Sequence, residues 1–398
     1  MAVTGDDRQR SLRIAMIGTR GVPARYGGFE TAVEEIGRRL VARGHTVRVY
    51  CRRHELDPPH GEHLGMERVT LPALRRRSLE TLSHTALSVG HLVAHRVDAA
   101  FVFNAANAPL LPVVRAVRVP VATHVDGLEW RRAKWGANGR RYYRAAEQLA
   151  VRWSDALVAD AQGIADYYAD EFGARTRLLA YGAPRVDVGT ERLAELGLVA
   201  GGFHVVVARF EPENHVLEAV QGYVRSSAEL PLVVVGSAPY SDTYTAAVRA
   251  AAGDDPRVRL LGGVWDQELL DQLYAGASTY VHGHSVGGTN PSLLRAIGAG
   301  TATIAYDVAF NREVLRSEGL YFADAAELAG HLERAESDPA ATTRRGEALR
   351  LRALDYDWDD VTAGYERLAL DLAARRTAGP QRLRRRQQTA EPVEAIRA

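Results

Sequence analysis

The chain has 398 residues, 46% of them hydrophobic, which is enough for two cores of ordinary size and more than a single core usually holds. Its 50 basic and 49 acidic residues leave a formal net charge of +1, so no overall field points to nucleic acid or to a strongly acidic partner. The single cysteine, Cys51, excludes an internal disulfide framework and a multi-cysteine metal cluster, and fits a reducing compartment. The opening MAVTGDDRQR carries acids where a signal peptide places basic and then apolar residues, and no apolar run is long enough to span a bilayer. A cytoplasmic protein is therefore expected. Lys134 is the one lysine, and the wealth of Arg, Ala and Gly reads as GC-rich codon usage.

The first element is the apolar run Leu12 to Ile17, a buried strand that feeds a Gly-rich loop. Phe29, Val33, Ile36 and Leu40 then recur at helical spacing, with Gly44 where the helix should stop. The pattern continues with a strand 45–50, a long loop 52–77, a helix 79–94, a strand 99–103, a helix 109–117 and a strand 119–123. A helix 140–153, a strand 156–159, a helix 162–172 and a strand 177–181 complete the first half. After a loose segment, strands 203–208, 232–235, 258–261, 279–282 and 302–306 each lead into a helical pattern. Strands alternating with helices imply parallel sheets with right-handed crossovers, hence an α/β chain of two Rossmann-like doubly wound domains. The divisions are 1–184, 185–354, a last amphipathic helix within 355–378, and a basic tail 379–398 that is expected to be disordered.

Four segments sit where parallel strands present their carboxyl ends. The loop GTRGVPARYGGFE contains Gly18, Gly21, Gly27 and Gly28, which let backbone amides and a helix N-terminus approach an anion. It contains neither G-x-G-x-x-G nor a lysine-bearing phosphate loop, which argues against a dinucleotide oxidoreductase or a triphosphatase. THVDGLEWRRAKWG brings His124, Asp126 and Glu129 to one mouth, with Arg131, Arg132 and Lys134 beside them. Trp130 and Trp135 read as packing residues. ARFEPENH places Arg209 at a strand tip, where a guanidinium can take a diphosphate bidentately, with Asn214 and His215 as helpers. In HGHSVGGTNPSLLRAIGAG, Gly287 and Gly288 precede Thr289 or Asn290 as N-cap and Pro291 as first helical residue, so amides at a positive helix end face out. Asp355 and Asp357 form a D-x-D, but they precede an amphipathic helix and read as caps; no metal and no cofactor are expected. Basic runs at Arg75–Arg77 and Arg384–Arg386 are candidates for weak contact with an anionic membrane surface.

In GTRGVPARYGGFET, HVDGLEWRRAKW, ARFEPENH, HSVGGTNPSLL and AYDVAFNREVL the chain resembles family-4 glycosyltransferases of the GT-B fold, particularly a bacterial rhamnosyltransferase-like branch. The resemblance implies a cleft between the domains, with the nucleotide-sugar donor mainly on the second, the acceptor on the first, and the last helix crossing back. It also implies metal-independent transfer with retention of anomeric configuration, with leaving-group charge stabilised by a basic pair. By this resemblance His124 lines the reacting sugar and Arg209 holds the diphosphate. The proton of the acceptor hydroxyl goes to the departing phosphate or to Asp126 as base. The donor set is completed by Gly18, Gly21, Asn214, His215, Gly287, Gly288, Thr289, Asn290, Arg295 and Glu313, and the acceptor set is Tyr26, Glu129, Arg131 and Lys134. The implied substrates are a dTDP- or UDP-linked hexose or deoxyhexose and a lipid-linked or polysaccharide acceptor in envelope glycan synthesis. Two departures stand out. Gly287 and Arg295 occupy the positions of two glutamates, and the lysine expected to partner Arg209 is absent, with Asn214 or His215 near its place. Arg295 is left to pair with a nucleotide phosphate, with Glu313 or with nothing, and a catalytically silent nucleotide-sugar binder is the alternative reading.

Overall fold

The computed structural model describes residues 10–24, 27–53, 60–74, 79–125, 127–133, 135–237, 242–379 and 381. Its first half is an eight-stranded sheet of β1 (Arg13–Ile17), β2 (Thr46–Arg52), β3 (His60–His63), β4 (Met66–Leu71), β5 (Ala99–Phe103), β6 (Val121–Val125), β7 (Ala156–Ala159) and β8 (Arg177–Leu178). The spatial order is β3-β4-β2-β1-β5-β6-β7-β8, and every pairing is parallel except that of β3 with β4. The second half is a six-stranded, wholly parallel sheet of β9 (His204–Val207), β10 (Leu232–Val235), β11 (Val258–Gly262), β12 (Thr279–His282), β13 (Ala302–Tyr306) and β14 (Leu320–Phe322). Its order is β11-β10-β9-β12-β13-β14. Strands such as β5, β6 and β10 are buried along their whole length because helices cover both faces of the sheet, which is why they read as unbroken apolar runs. This is the α/β architecture of two doubly wound parallel-sheet domains that the alternating pattern implies.

The last helix, Trp358–Ala373, joins the two cores. Val361, Tyr365, Leu368 and Leu372 lie in one cluster with Ile14, Leu40 and Phe101 of the first half and Leu293 and Ile297 of the second. Its surface is tied to helix Gly28–Ala42 by the Arg43–Glu366 pair at 2.7 Å and the Arg39–Asp359 pair at 3.0 Å. Asp357 caps this helix by accepting from the Asp359 amide at 2.6 Å and the Asp360 amide at 3.3 Å, and Asp355 pairs with Arg352 instead.

Several boundaries differ from the pattern. The stretch 52–77, read as a loop, contains the hairpin β3–β4, whose two-residue turn is Leu64 at φ 50° and Gly65 at φ 78°. Leucine rarely adopts this conformation, so the usual Asn-Gly signature of such a turn is missing. The strand expected over 119–123 is Val121–Val125, because Pro120 has no amide to give the ladder. The helix expected over 109–117 begins as a 3₁₀ turn, Ala105–Leu110, before Leu111–Ala116. The three-residue β14 was too short to stand out. Arg75–Arg77 and Arg384–Arg386 lie outside the described residues. Among the described residues no helix is long and apolar enough to cross a membrane.

Candidate active site

In each sheet one strand is flanked by neighbours reached in opposite directions: β1 between β2 and β5, and β9 between β10 and β12. The loops that leave the carboxyl ends at such a point diverge and open a crevice. The two crevices face one another across a cavity of about 480 Å³. Arg20, Gly27, Gly28 and Glu30 line it from the first half; Arg209, His284, Asn290 and Arg295 line it from the second.

Of the glycines after β1, two serve packing. A Cβ on Gly18 would fall 2.3 Å from the Phe103 carbonyl oxygen, and one on Gly21 would fall 2.4 Å from Cys51 Sγ; both have positive φ. These positions bring the loop down onto β5 and β2 and do not line the cavity, whereas Gly27 and Gly28 do. Gly28 abuts Pro291 of the opposite wall, where an added Cβ would meet the proline ring at 3.1 Å. The loop is braced by Glu30, which accepts from the Arg20 amide at 2.9 Å. Tyr26 lies outside the described residues.

His124 belongs to β6 and does not leave it. Only 1% exposed, it lies among Phe29, Phe103, Tyr181 and Tyr365, with ring centroids 5.1 to 6.5 Å away. Its Nδ1 is 2.9 Å from the Tyr365 hydroxyl, and burial pushes its pKa down to about 3, so the ring is neutral. The residue expected to line the sugar is therefore enclosed by aromatic rings and is not among those that line the cavity. Asp126 and Lys134 lie outside the described residues. Between them, Gly127 touches the second half: a Cβ there would meet the Gly287 backbone within 2.3 to 2.5 Å. Glu129 is nearly buried and accepts from Arg132 Nε at 2.5 Å and Trp135 Nε1 at 3.4 Å. Arg131 lies 5.3 Å over the Trp130 ring, and Trp135 packs on Tyr143 at 5.0 Å, so both tryptophans act in packing.

On the second wall, Arg209 follows β9. Its side chain is 40% exposed, with Nη1 3.5 Å from Glu211 Oε1. Asn214 is turned inward, donating from Nδ2 to the Arg209 carbonyl at 2.9 Å. His215 has φ 46°, stacks on Tyr306 at 3.8 Å, and sets Nδ1 2.7 Å from the Gly283 carbonyl oxygen. A non-glycine residue in this conformation is costly and is typical of functional loops. Asn290 is the N-cap of helix Pro291–Ala299, accepting from the Ser292 amide at 3.0 Å, and Thr289 donates to the Asp160 carbonyl at 2.6 Å. Gly288 lies against Asp160, whose Oδ1 would be 2.0 Å from an added Cβ.

Arg295 lines the cavity and pairs with Asp271, a partner not considered from the sequence, and Glu313 is not its partner. Glu313 instead reaches across the halves: both its carboxylate oxygens accept from the Gln162 amide at 3.0 Å, at the start of helix Gln162–Phe172. It complements that helix end rather than lining the cavity.

Sequence reasoning passed over Asp160 and His284. Asp160 ends the buried run ALVAD on β7 and is 4% exposed; burial lifts its carboxyl to about 7. An acid directly after a buried strand was the available signal. His284, in the motif HGHS, stacks on His282 at 4.5 Å and is pushed well below the usual imidazole range by burial, with His282, Arg209, Arg132 and His215 acting in the same direction. Trp265, 70% exposed, also lines the cavity, with Gln267, Leu270 and Tyr274. Among the described residues no cluster of His, Cys, Asp and Glu could hold a metal ion.

Residues 27–183 match the family described as Glycosyl transferase 4-like domain, and residues 204–338 match Glycosyl transferases group 1. Among solved structures, the chain is similar to sucrose-phosphate synthase from Thermosynechococcus elongatus, at 21% identity and TM-score 0.78, covering 92% of this chain and 100% of that one. It is similar to Anabaena Alr3699/HepE in complex with UDP-glucose, at 17% identity and TM-score 0.71, covering 90% and 99%. A further likeness is to α,α-trehalose 6-phosphate synthase from Burkholderia multivorans, at 14% identity and TM-score 0.68, covering 94% and 99%. At these identities the structures share the fold. No curated protein matches the chain in sequence.

Proposed function

For a chain that is a glycosyltransferase of two domains in the GT-B architecture, we propose metal-independent transfer of a hexose or deoxyhexose, with retention, from a dTDP- or UDP-sugar to a lipid-linked or polysaccharide acceptor. The observation that carries this is the convergence on one cavity of Arg209 and of the helix N-terminus capped by Asn290. A guanidinium and the positive end of a helix together suit a diphosphate. The donor therefore lies on the second half, its nucleoside toward Trp265 and Tyr274 and its diphosphate toward Arg209. Glu30, Thr31 and Glu35 line the opposite side and supply oxygen acceptors for sugar hydroxyls. UDP and UDP-glucose occupy solved structures of Alr3699/HepE, a relative in fold.

In the proposed reaction the bond from the anomeric carbon to the diphosphate oxygen breaks as the acceptor oxygen bonds the same face of that carbon. The departing phosphate takes the acceptor's proton, and Arg209 with the positive end of helix Pro291–Ala299 stabilises its charge. Asp126 is the alternative base. The neutral, enclosed His124 acts in packing. The arginine runs at 75–77 and 384–386 suit attachment to the inner face of an anionic membrane.

A thermal-shift and sugar-release screen with dTDP-, UDP- and GDP-sugars in the presence of EDTA tests the reading. Stabilisation by one nucleotide class with slow release of its sugar is expected. The Arg295–Asp271 pair favours a second reading, a silent nucleotide-sugar binder, because it places an ion pair where the resemblance expects a glutamate. Stabilisation without turnover, even with candidate acceptors, would favour that reading.

A further inference from the structure

Arg209 lines the cavity with Arg20 of the first half and with Arg295, which is paired with Asp271, and the resemblance implies a second cation beside Arg209 at the diphosphate. Asn214, near the place of the expected lysine, is neutral, 1% exposed and turned inward, donating to the Arg209 carbonyl. His215 is held by Tyr306 and the Gly283 carbonyl.

A second guanidinium comes from the opposite domain. Arg132 is fixed on its own loop by Glu129, at 2.5 Å from Nε, and Glu129 is in turn 3.4 Å from the Trp135 indole nitrogen. From that anchor its Nη1 crosses the cleft to Glu211 Oε2 at 3.4 Å and Glu213 Oε1 at 3.5 Å. Charge-assisted bonds normally run about 2.7–2.9 Å, so the anchor is tight and the cross-cleft contacts are loose. Glu211 is shared: Oε1 faces Arg209 at 3.5 Å while Oε2 faces Arg132. One carboxylate thus lies between two guanidiniums, one from each domain. A phosphate group, with more charge and more oxygens in a similar tetrahedral or planar fork, competes for that position.

We infer that Arg132 is the second cation of the diphosphate site, supplied across the cleft, and that Glu211 holds its place between the two arginines until the donor arrives. The inference rests on the proposed donor site and adds to it: donor binding and domain closure become one event, because the diphosphate bridges both halves. Glu129 is then a positioning residue that keeps the guanidinium aimed.

The test is calorimetric titration of the full chain with UDP and dTDP and with the corresponding nucleosides, uridine and thymidine. Arg132→Ala is expected to weaken the diphosphate about tenfold or more while leaving nucleoside affinity unchanged, and Arg132→Lys to restore part of the loss. Glu211→Gln is expected to tighten diphosphate binding several-fold, since the competing carboxylate is gone. If Arg132 only latched the domains, Glu211→Gln would weaken or leave unaltered the diphosphate affinity, and Arg132→Ala would shift nucleoside and diphosphate alike; either result overturns the inference. If Arg209→Ala impairs diphosphate binding but Arg132→Ala does not, this inference fails alone. If the unaltered chain binds neither diphosphate, the donor-site reading fails with it.

Discussion

The two walls of the cleft commit their polar groups differently. On the N-terminal wall the strand-end histidine, His124, is enclosed by Phe29, Phe103, Tyr181 and Tyr365; on the C-terminal wall Arg209 and His284 line the cavity. Both sets follow from the same rule of strand ends, so the rule locates a mouth without saying which side chains enter it. Along β6, Thr123 and Val125 point to one face and Ala122 and His124 to the other, toward the last helix. Beyond β9 the chain has left the ladder, and Arg209, half-exposed beside Glu211, lines the cavity. The strand-end histidine of the first wall is thus held in the packing, while the strand-end arginine of the second faces the cavity.

The sharpest way to break this contrast is to remove the packing around His124. Tyr365→Ala deletes a ring buried to 1% that contacts both Phe101 and His124, and urea unfolding should show a loss of about 4 kcal/mol. Tyr365→Phe removes only the hydroxyl and should cost about 1 kcal/mol. A chain that tolerates the alanine would mean His124 is not held there.

Gly18→Ala probes the loop after β1. The added methyl would strike the Phe103 carbonyl at a residue with φ 101°, so a loss of about 2–3 kcal/mol is expected in the same assay. Gly127→Ala probes the touching backbones of the two walls. Here folding should survive, because the domains can part, while nucleotide affinity should fall about tenfold.

A smaller effect is set by pH. Burial raises the Asp160 carboxyl from 3.8 to about 7, so the folded chain holds this proton more tightly than the unfolded chain. The stability associated with that proton is complete below the unfolded value and is lost as pH rises toward and through about 7. Asp160→Asn should therefore gain in melting temperature over the parent protein as pH goes from 5 to 8. A constant gap would place Asp160 in a more polar setting.

Much of the scaffold was legible because burial on both faces writes continuous apolar runs, as at Ala99–Phe103 and Ala302–Tyr306, and because Asn290-Pro291 is a chemically explicit helix start. The hairpin was hidden by a turn with leucine at positive φ. Arg295 could not be paired with Asp271 from the sequence, since the two lie 24 residues apart on different helices and either charge had other candidates. The enclosure of His124 depended on Tyr365, 241 residues away, and no local signal announces such a contact. Arg209 was legible as a strand-tip cation, but its share in Glu211 with Arg132 becomes visible only when both halves are in place.

The central claim is that Arg209 and the Asn290-capped helix receive the diphosphate of a nucleotide sugar. Calorimetric titration of the chain and of Arg209→Ala with the best-stabilising nucleotide sugar tests it most directly. The account predicts saturable binding that weakens by about thirtyfold or more in the variant, the loss expected for a charge-assisted contact to phosphate. Equal affinity in the two proteins, with both folded, would contradict it.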